Sequence, residues 1–233
     1  MNLLKENFLY LFIMIVSLSY PFISSFESRI NFVKKWKFLF ISIFLMMLVF
    51  IPWDIYFTYK SVWSFNDSYI LGWKLFLLPI EEWLFFIIIP FCCVFIHEVL
   101  AYFFSNSIQI NRKLYYYISC LILVIGLYFN SKLYTFCVLS LTSFLLFFSS
   151  LHGSIFINNL IRTYLVSLVP FIVVNGILTG SYNPPIVMYN PDEIINIRFL
   201  NIPIEDFFYS FSMLALTMLP YNYLDTKFNN NRY

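Results

Sequence analysis

A short motif of proline, isoleucine and two acidic residues occurs twice in the chain. The first copy lies at 79–82 (Pro-Ile-Glu-Glu) and the second at 203–206 (Pro-Ile-Glu-Asp), an offset of 124 residues because 203 − 79 = 124. Aromatic residues follow each copy, and each stands at the start of a largely apolar run. Four of the twelve acidic residues therefore occupy two matching places, and these four are Glu81, Glu82, Glu205 and Asp206.

Paired acids beside aromatic rings predict a particular chemistry. Two adjacent carboxyl groups in an apolar environment do not both ionise easily, so at least one is expected to keep its proton near neutral pH. Such a group can act as a general acid, and the faces of nearby rings stabilise cations. The motifs thus predict a site that protonates an alkene and shelters the resulting carbocation. The rings that would line this site belong to Trp83, Phe85, Phe86, Phe207 and Phe208.

The motif also has other interpretations. Proline and acidic residues suit the first turn of any helix, because the missing N–H is tolerated there and the acids face the positive end of the helix dipole. Two copies inside apolar runs favour a functional site over a simple helix start, since acids within membrane spans usually interact with substrates, ions or protons. An ion- or proton-coupled transporter and a structural subunit without chemistry remain alternatives.

The composition predicts that lipid is the solvent of this protein. Of 233 residues, 61% are hydrophobic and 11% are charged, whereas a soluble domain draws about a quarter of its residues from charged types. A net charge of +2 without a long basic run does not indicate a nucleic-acid partner. The four cysteines form no CxxC motif, so neither a zinc site nor a disulfide framework is predicted.

Seven apolar segments are long enough to cross a hydrocarbon core of about 30 Å as helices. They lie at about 6–25, 36–53, 74–96, 113–130, 132–151, 160–179 and 202–221. Because the motif opens the third and the seventh segment, we predict an all-α polytopic membrane protein with a parallel internal repeat of three helices. The predicted units are a first repeat at 1–112, a connector helix at 113–131 and a second repeat at 132–233.

The basic residues predict how the chain is oriented. Nine Lys and Arg residues lie in the first, third and fifth connections and the C-terminal tail, against five in the N-terminus and the other connections. Basic residues are enriched in cytoplasmic segments. The N-terminus is therefore predicted to lie outside and the C-terminus in the cytoplasm.

A further set of residues precedes the first motif, namely Trp53, Asp54, Thr58, Val62, Trp63, Phe65, Asn66, Tyr69 and Gly72. Together with the two motifs, this set resembles a known family, the small integral-membrane lycopene cyclases. These are two separate subunits in some bacteria and are fused to a phytoene synthase in fungi. The second motif, preceded by Asn175, resembles that of the partner subunit, so the chain resembles both subunits fused. The stretch 180–201 has no evident match to 54–73.

The resemblance implies a redox-neutral cyclisation of linear carotenoid ends, which would convert lycopene to γ-carotene and β-carotene in a bacterial inner membrane. Glu81 and Glu205 would be the acids, Glu82 and Asp206 would share protons or act as the final base, and Asp54 would shape the entrance. Association with other enzymes of carotenoid synthesis is a further implication. No cofactor is expected, because the five glycines form no GxGxxG motif for a dinucleotide.

Overall fold

The chain is seen here in a computed structural model that describes residues 6–104 and 110–228. Helices dominate this part of the chain, and short strands lie in the two long connections between them. The helices are α1 (Leu9–Ser24), α2 (Trp36–Tyr59), α3 (Ile80–Phe103), α4 (Arg112–Tyr128), α5 (Leu133–Leu151), α6 (Ser154–Gly180) and α7 (Ile204–Phe228). The strands are β1 (Trp63–Phe65), β2 (Lys74–Leu75), β3 (Leu78–Pro79), β4 (Val187–Tyr189), β5 (Arg198–Phe199) and β6 (Ile202–Pro203).

The predicted all-α membrane fold is confirmed. Four segments of the described chain are long and apolar enough to cross a membrane: α2 with the 3-10 turn before it, α3, α5 and α6. The helix α1 is apolar but has 16 residues, α4 has 17, and α7 begins with two acids. Large side chains such as Phe50, Phe86 and Leu145 pack between α2, α3 and α5 without contact to the outside.

The start of α3 and the start of α7 are built in the same way. A two-stranded hairpin precedes each helix, with Lys74 paired to Pro79 in one and Arg198 paired to Pro203 in the other. The proline lies just before the first turn and not within it, and the acids fill that turn. Because each hairpin leads directly into its helix, the carboxyl groups of the two copies occupy equivalent places.

The two long connections meet across the middle of the molecule. Strand β1 pairs antiparallel with β4 so that Ser64 lies opposite Met188, and these residues are 188 − 64 = 124 positions apart. The flanking bonds are equivalent as well, since Asn190 N–H donates to Val62 O and Asn66 N–H donates to Ile186 O. An approximate twofold axis therefore passes through this pair of strands.

The expectation that 180–201 has no match in the first half is corrected by this pairing. Residues 62–79 correspond to 186–203 at the constant offset of 124. The helices before them end at Tyr59 and Gly180, which differ by 121, so the second half has three additional residues between its helix and its strand. Counted from those helix ends, Asp54 and Asn175 are equivalent, since each lies five residues earlier.

A buried ionic cluster lies at the other end of the helices. Lys35 Nζ donates to Glu98 Oε1 at 2.8 Å and to Asp225 Oδ2 at 2.5 Å. The Tyr221 hydroxyl donates to the same Glu98 oxygen at 2.8 Å. Glu98 lies sixteen residues beyond Glu82 on α3, roughly 24 Å along the helix. The cluster joins the start of α2 to the ends of α3 and α7.

Replacing the cation of this cluster should destabilise the fold. In Lys35→Met two carboxyl groups lose their shared ammonium partner inside the protein, and breaking a buried ion pair in this way costs about 3 kcal/mol. We expect a clearly lower unfolding temperature in detergent. Lys34→Met is the matched control because Lys34 is exposed. Equal unfolding temperatures for the two variants would show that the cluster does not stabilise the protein.

Candidate active site

The four acids of the duplicated motif are buried together at one end of the helix bundle. Glu81 and Glu82 occupy the first turn of α3, and Glu205 and Asp206 the first turn of α7. All four are less than 10% exposed although each carries an ionisable group. A carboxyl group is costly to bury without partners, so the contacts of each one decide what it can do.

Glu81 and Glu205 hold the connections in place. Glu81 Oε1 accepts the backbone N–H of Leu71 at 2.7 Å, and Glu205 Oε1 accepts that of Ile195 at 2.7 Å, both ten residues earlier in the chain. Thr135 donates a further bond of 2.7 Å to Glu205. Neither of these two glutamates lines the central cavity. Their contacts bind the long connections to the helix starts.

Glu82 and Asp206 face the cavity, and each accepts a hydrogen bond from a tyrosine. The Tyr10 hydroxyl donates to Glu82 Oε2 at 2.5 Å, and the Tyr134 hydroxyl donates to Asp206 Oδ1 at 2.7 Å. The two tyrosines are 134 − 10 = 124 positions apart, which is the offset of the acids. The duplicated motif thus places one carboxyl group from each half in a single cavity.

The surroundings of the two cavity acids differ in the number of donors. Asp206 Oδ2 also accepts bonds from Asn175 Nδ2 at 2.7 Å and from the Tyr189 hydroxyl at 2.9 Å. Burial, and then the negative charge of Asp206, raise the pKa of Tyr189 well above its usual value, so this phenol keeps its proton and donates. Three donors stabilise the charged form of a carboxylate. Asp206 is therefore suited to remain ionised.

The cavity between the helices has a volume of about 550 Å³, within the range of small-molecule sites. Besides Glu82 and Asp206, its walls include a third acid, Asp54 of α2. Asp54 Oδ2 is buried and has no hydrogen-bond partner in the described part of the chain. Most of the other lining residues are apolar or aromatic. The three acids therefore meet in a water-poor, mainly hydrocarbon environment.

Aromatic rings gather beside Asp206. The ring centroids of Trp63 and Tyr134 are 5.1 Å apart, those of Tyr134 and Tyr189 5.9 Å, and those of Tyr134 and Tyr209 6.2 Å. All four rings line the cavity. Negative ring faces and a carboxylate at one end of an apolar cavity can stabilise a positively charged intermediate.

Of the aromatic residues predicted from the motifs, the structure brings Phe85 to the cavity. Trp83 instead donates its indole N–H to Leu75 O at 3.3 Å. Phe86 is fully buried beside Phe50, with centroids 6.2 Å apart. The ring centroid of Phe207 lies 5.1 Å from that of Phe171 and 6.0 Å from that of Phe199, and Phe208 packs against the buried apolar cluster that includes Val62 and Ile186. These four are not among the lining residues.

The tyrosines that donate hydrogen bonds to the acids were not predicted from the sequence. A repeat search at the offset of 124 would have found Tyr10 and Tyr134, since Leu-Tyr followed by Phe two residues later occurs at 9–12 and at 133–136. Tyr189 and Tyr209 have no such signal, because the positions equivalent to them are Phe65 and Phe85. Tyr189 gives Asp206 a hydrogen-bond donor that Glu82 lacks, since Phe65 stands at the equivalent position.

The fold and the site define an all-α membrane protein in which each of two equivalent halves places one acid of its motif at a single apolar cavity. The family model of lycopene cyclases matches residues 7–100 and 131–224, two segments of equal length that are themselves offset by 124. The chain belongs to the lycopene cyclase family, with both halves in one polypeptide. Its class is therefore that of an enzyme acting on carotenoids in a membrane. Searches of curated proteins and of solved structures gave no match.

Proposed function

We propose that this protein closes the linear ends of lycopene into β-ionone rings by acid catalysis without change of redox state. The product is an isomer of the substrate, so the reaction needs no external electron acceptor. The observation that carries the proposal is the pair of Glu82 and Asp206, one from each half, at one apolar cavity. The reaction has one site, to which both motifs contribute.

Glu82 is the proton donor in this proposal. Its O–H bond breaks, a C–H bond forms at the terminal double bond of the carotenoid, and a tertiary carbocation results. The neighbouring double bond attacks this cation and closes the six-membered ring with a new C–C bond. The positive charge then lies on a ring carbon. Glu82 suits the role because, within the described part of the chain, it accepts a hydrogen bond from Tyr10 alone, whereas Asp206 accepts bonds from three donors.

Asp206 completes the reaction as the base. Held ionised by Tyr134, Tyr189 and Asn175, it stabilises the cation and removes one proton from the ring, which leaves the β-ionone double bond. One proton has been given by Glu82 and one taken by Asp206, so the reaction balances. Transfer of the proton back to Glu82, with Asp54 in the same cavity as a carrier, restores the starting state.

Glu81 and Glu205 are positioning residues in this account and not acids of the reaction. Glu81→Gln should keep most of the activity, because the amide oxygen can still accept the Leu71 N–H. Replacing a charge-assisted bond with a neutral one costs about 1 kcal/mol. We expect the rate of cyclisation to fall by less than about tenfold. A loss as large as that caused by Glu82→Gln would instead make Glu81 a proton donor.

The direct test of the function is expression in a bacterium that accumulates lycopene. We expect γ-carotene and β-carotene in the extracted pigments, and acyclic pigment alone from cells with an empty vector. Lycopene left unchanged by membranes that contain the folded protein would contradict the proposal. An ε-ring in the product would support the cyclisation itself, but it would show that the final proton is removed from a different ring carbon than proposed.

We further propose that the site faces the outer side of a bacterial inner membrane and that other carotenoid-forming enzymes associate with the protein. The excess of basic residues in the opposite connections supports this orientation. Two of the counted residues, Lys5 and Arg232, lie outside the described residues.

The transporter alternative is not favoured, because α3 and α7 run unbroken from their acids.

A further inference from the structure

The cavity is covered on the side of the long connections. Strands β1 and β4 cross this end, and Val62 and Ile186 beside them are fully buried. Trp63 and Val187, which form part of the cavity wall, are 5% and 9% exposed. A hydrocarbon substrate therefore finds no open path from water through the connections.

The cavity is also closed toward the other end of the helices. Phe95 lies at this end of its lining. Phe32 packs behind it with ring centroids 5.8 Å apart and is itself fully buried. The cluster of Lys35, Glu98 and Asp225 lies beyond these rings. Both ends of the cavity are thus blocked by packed side chains.

The remaining side is the one between α1 and α6. Tyr20 on α1 and Val173 on α6 line the cavity and are also 72% and 60% exposed on the outer surface. Pro170, one turn from Val173, is another exposed lining residue. Residues that belong to both the cavity wall and the outer surface mark the edge of an opening.

The opening extends along the helices from near the acids toward the middle of the membrane, because Val173 lies two residues before Asn175 on α6 and Tyr20 lies further along α1. Tyr20 lies ten residues beyond Tyr10 on α1, a distance of roughly 15 Å along the axis. The hydrocarbon core is about 30 Å thick, so the opening faces acyl chains. A linear polyene is dissolved in that same layer.

The opening exists on one side of the approximate twofold axis. Helix α1 and helix α6 each contribute several lining residues within the described part of the chain. Their counterparts α5 and α2 each contribute a single one, Tyr134 and Asp54. The cavity therefore breaks the symmetry of the repeat, although the acids obey it.

We propose that the carotenoid enters end first from the lipid through the gap between α1 and α6, which Tyr20, Pro170 and Val173 border. The reacting end then reaches Glu82 and Asp206, and the rest of the polyene extends outward along α1 and α6. This inference rests on the proposed cyclase function. It makes Val173 a determinant of access and not a part of the chemistry.

A size series at Val173 tests this route. We expect Val173→Phe and Val173→Trp to lower kcat/KM for lycopene in lipid vesicles progressively, by about tenfold for tryptophan, which corresponds to about 1.4 kcal/mol. Val173→Ala should match or exceed the wild type. Val169 supplies the control series, because it is 69% exposed one turn away on α6 and does not line the cavity. The Val169 series should leave kcat/KM unchanged.

The outcomes separate the route from the function. An active wild type with a flat Val173 series, or with equal losses in the Val169 series, overturns the entry route and leaves the cyclase function standing. A wild type that does not cyclise lycopene overturns both. Unfolding temperatures measured for each variant distinguish a narrowed opening from a damaged fold. If Val173→Trp does not fold, Val173→Ala and Val173→Phe still allow the comparison.

Discussion

Glu82→Gln should abolish cyclisation almost completely. The substitution keeps the size of the side chain and an oxygen that can accept the Tyr10 hydroxyl, but it removes the acidic proton that starts the reaction. General acid catalysis contributes about 10²–10⁴ in rate, so we expect kcat to fall by at least about 100-fold. The measurement is the initial rate of ring formation in membranes supplied with lycopene.

Two controls belong to this measurement. Glu81→Gln is the same substitution one residue away and should retain most of the rate. Glu82→Asp keeps an acid on a shorter side chain and should restore part of the activity that glutamine removes. A Glu82→Gln enzyme that works at the wild-type rate would exclude Glu82 as the donor, whatever the effect of the other variants.

Asp206→Asn should cause a loss of similar size for a different reason. The amide keeps hydrogen-bonding capacity toward Tyr134, Asn175 and Tyr189, but it can neither balance the charge of the carbocation nor remove its proton. We expect kcat to fall by about 100-fold or more. In the same membranes, the affinity for lycopene should change much less than kcat, because most of the cavity wall is apolar.

The control for this variant is Asp67→Asn. Asp67 lies in the connection at the same end of the molecule, but its side chain is exposed and paired with Lys74. Its replacement should leave the rate unchanged. If Asp206→Asn retained full activity while Glu82→Gln lost it, the final base would have to be another group, and Asp54 would be the remaining carboxyl group in the cavity.

The two large losses should not multiply. Groups that act as one unit give effects that are strongly non-additive. In the double variant Glu82→Gln/Asp206→Asn we therefore expect a residual rate close to that of the slower single variant. Two independent sites, one for each motif, would instead leave about half of the activity in each single variant and none in the double.

Much of this organisation could be predicted from the sequence. The seven apolar segments correspond to the seven described helices, and the offset of 124 correctly placed the two motifs at equivalent helix starts. Which acid of each pair faces the cavity could not be predicted, because neighbouring residues on a helix point about 100° apart and packing decides which one turns inward. The family resemblance implied Glu81 and Glu205 as the acids, but these two residues do not line the cavity, and the donor role of Glu82 is our proposal.

The match between the two connections was hidden for a physical reason. Strands β1 and β4 pair across the approximate twofold axis and not within one half, so their partners lie more than a hundred residues apart. Because the second half has three additional residues after this point, Asn175 and Asp54 are 175 − 54 = 121 positions apart and not 124, and the two side chains differ in type. Neither the strand pairing nor the equivalence of Asp54 and Asn175 produces a local sequence pattern. The Leu-Tyr-x-Phe that is repeated in α1 and α5 is such a pattern.

Both motifs serve one site in the proposed reaction, with one acid from each half. The most direct measurement is the carotenoid profile of lycopene-accumulating bacteria that express the wild type, Glu82→Gln or Asp206→Asn at equal membrane levels. We expect cyclic products from the wild type and unchanged lycopene from both variants. Monocyclic product formed at the wild-type rate by either variant would contradict it, because each motif would then work on its own.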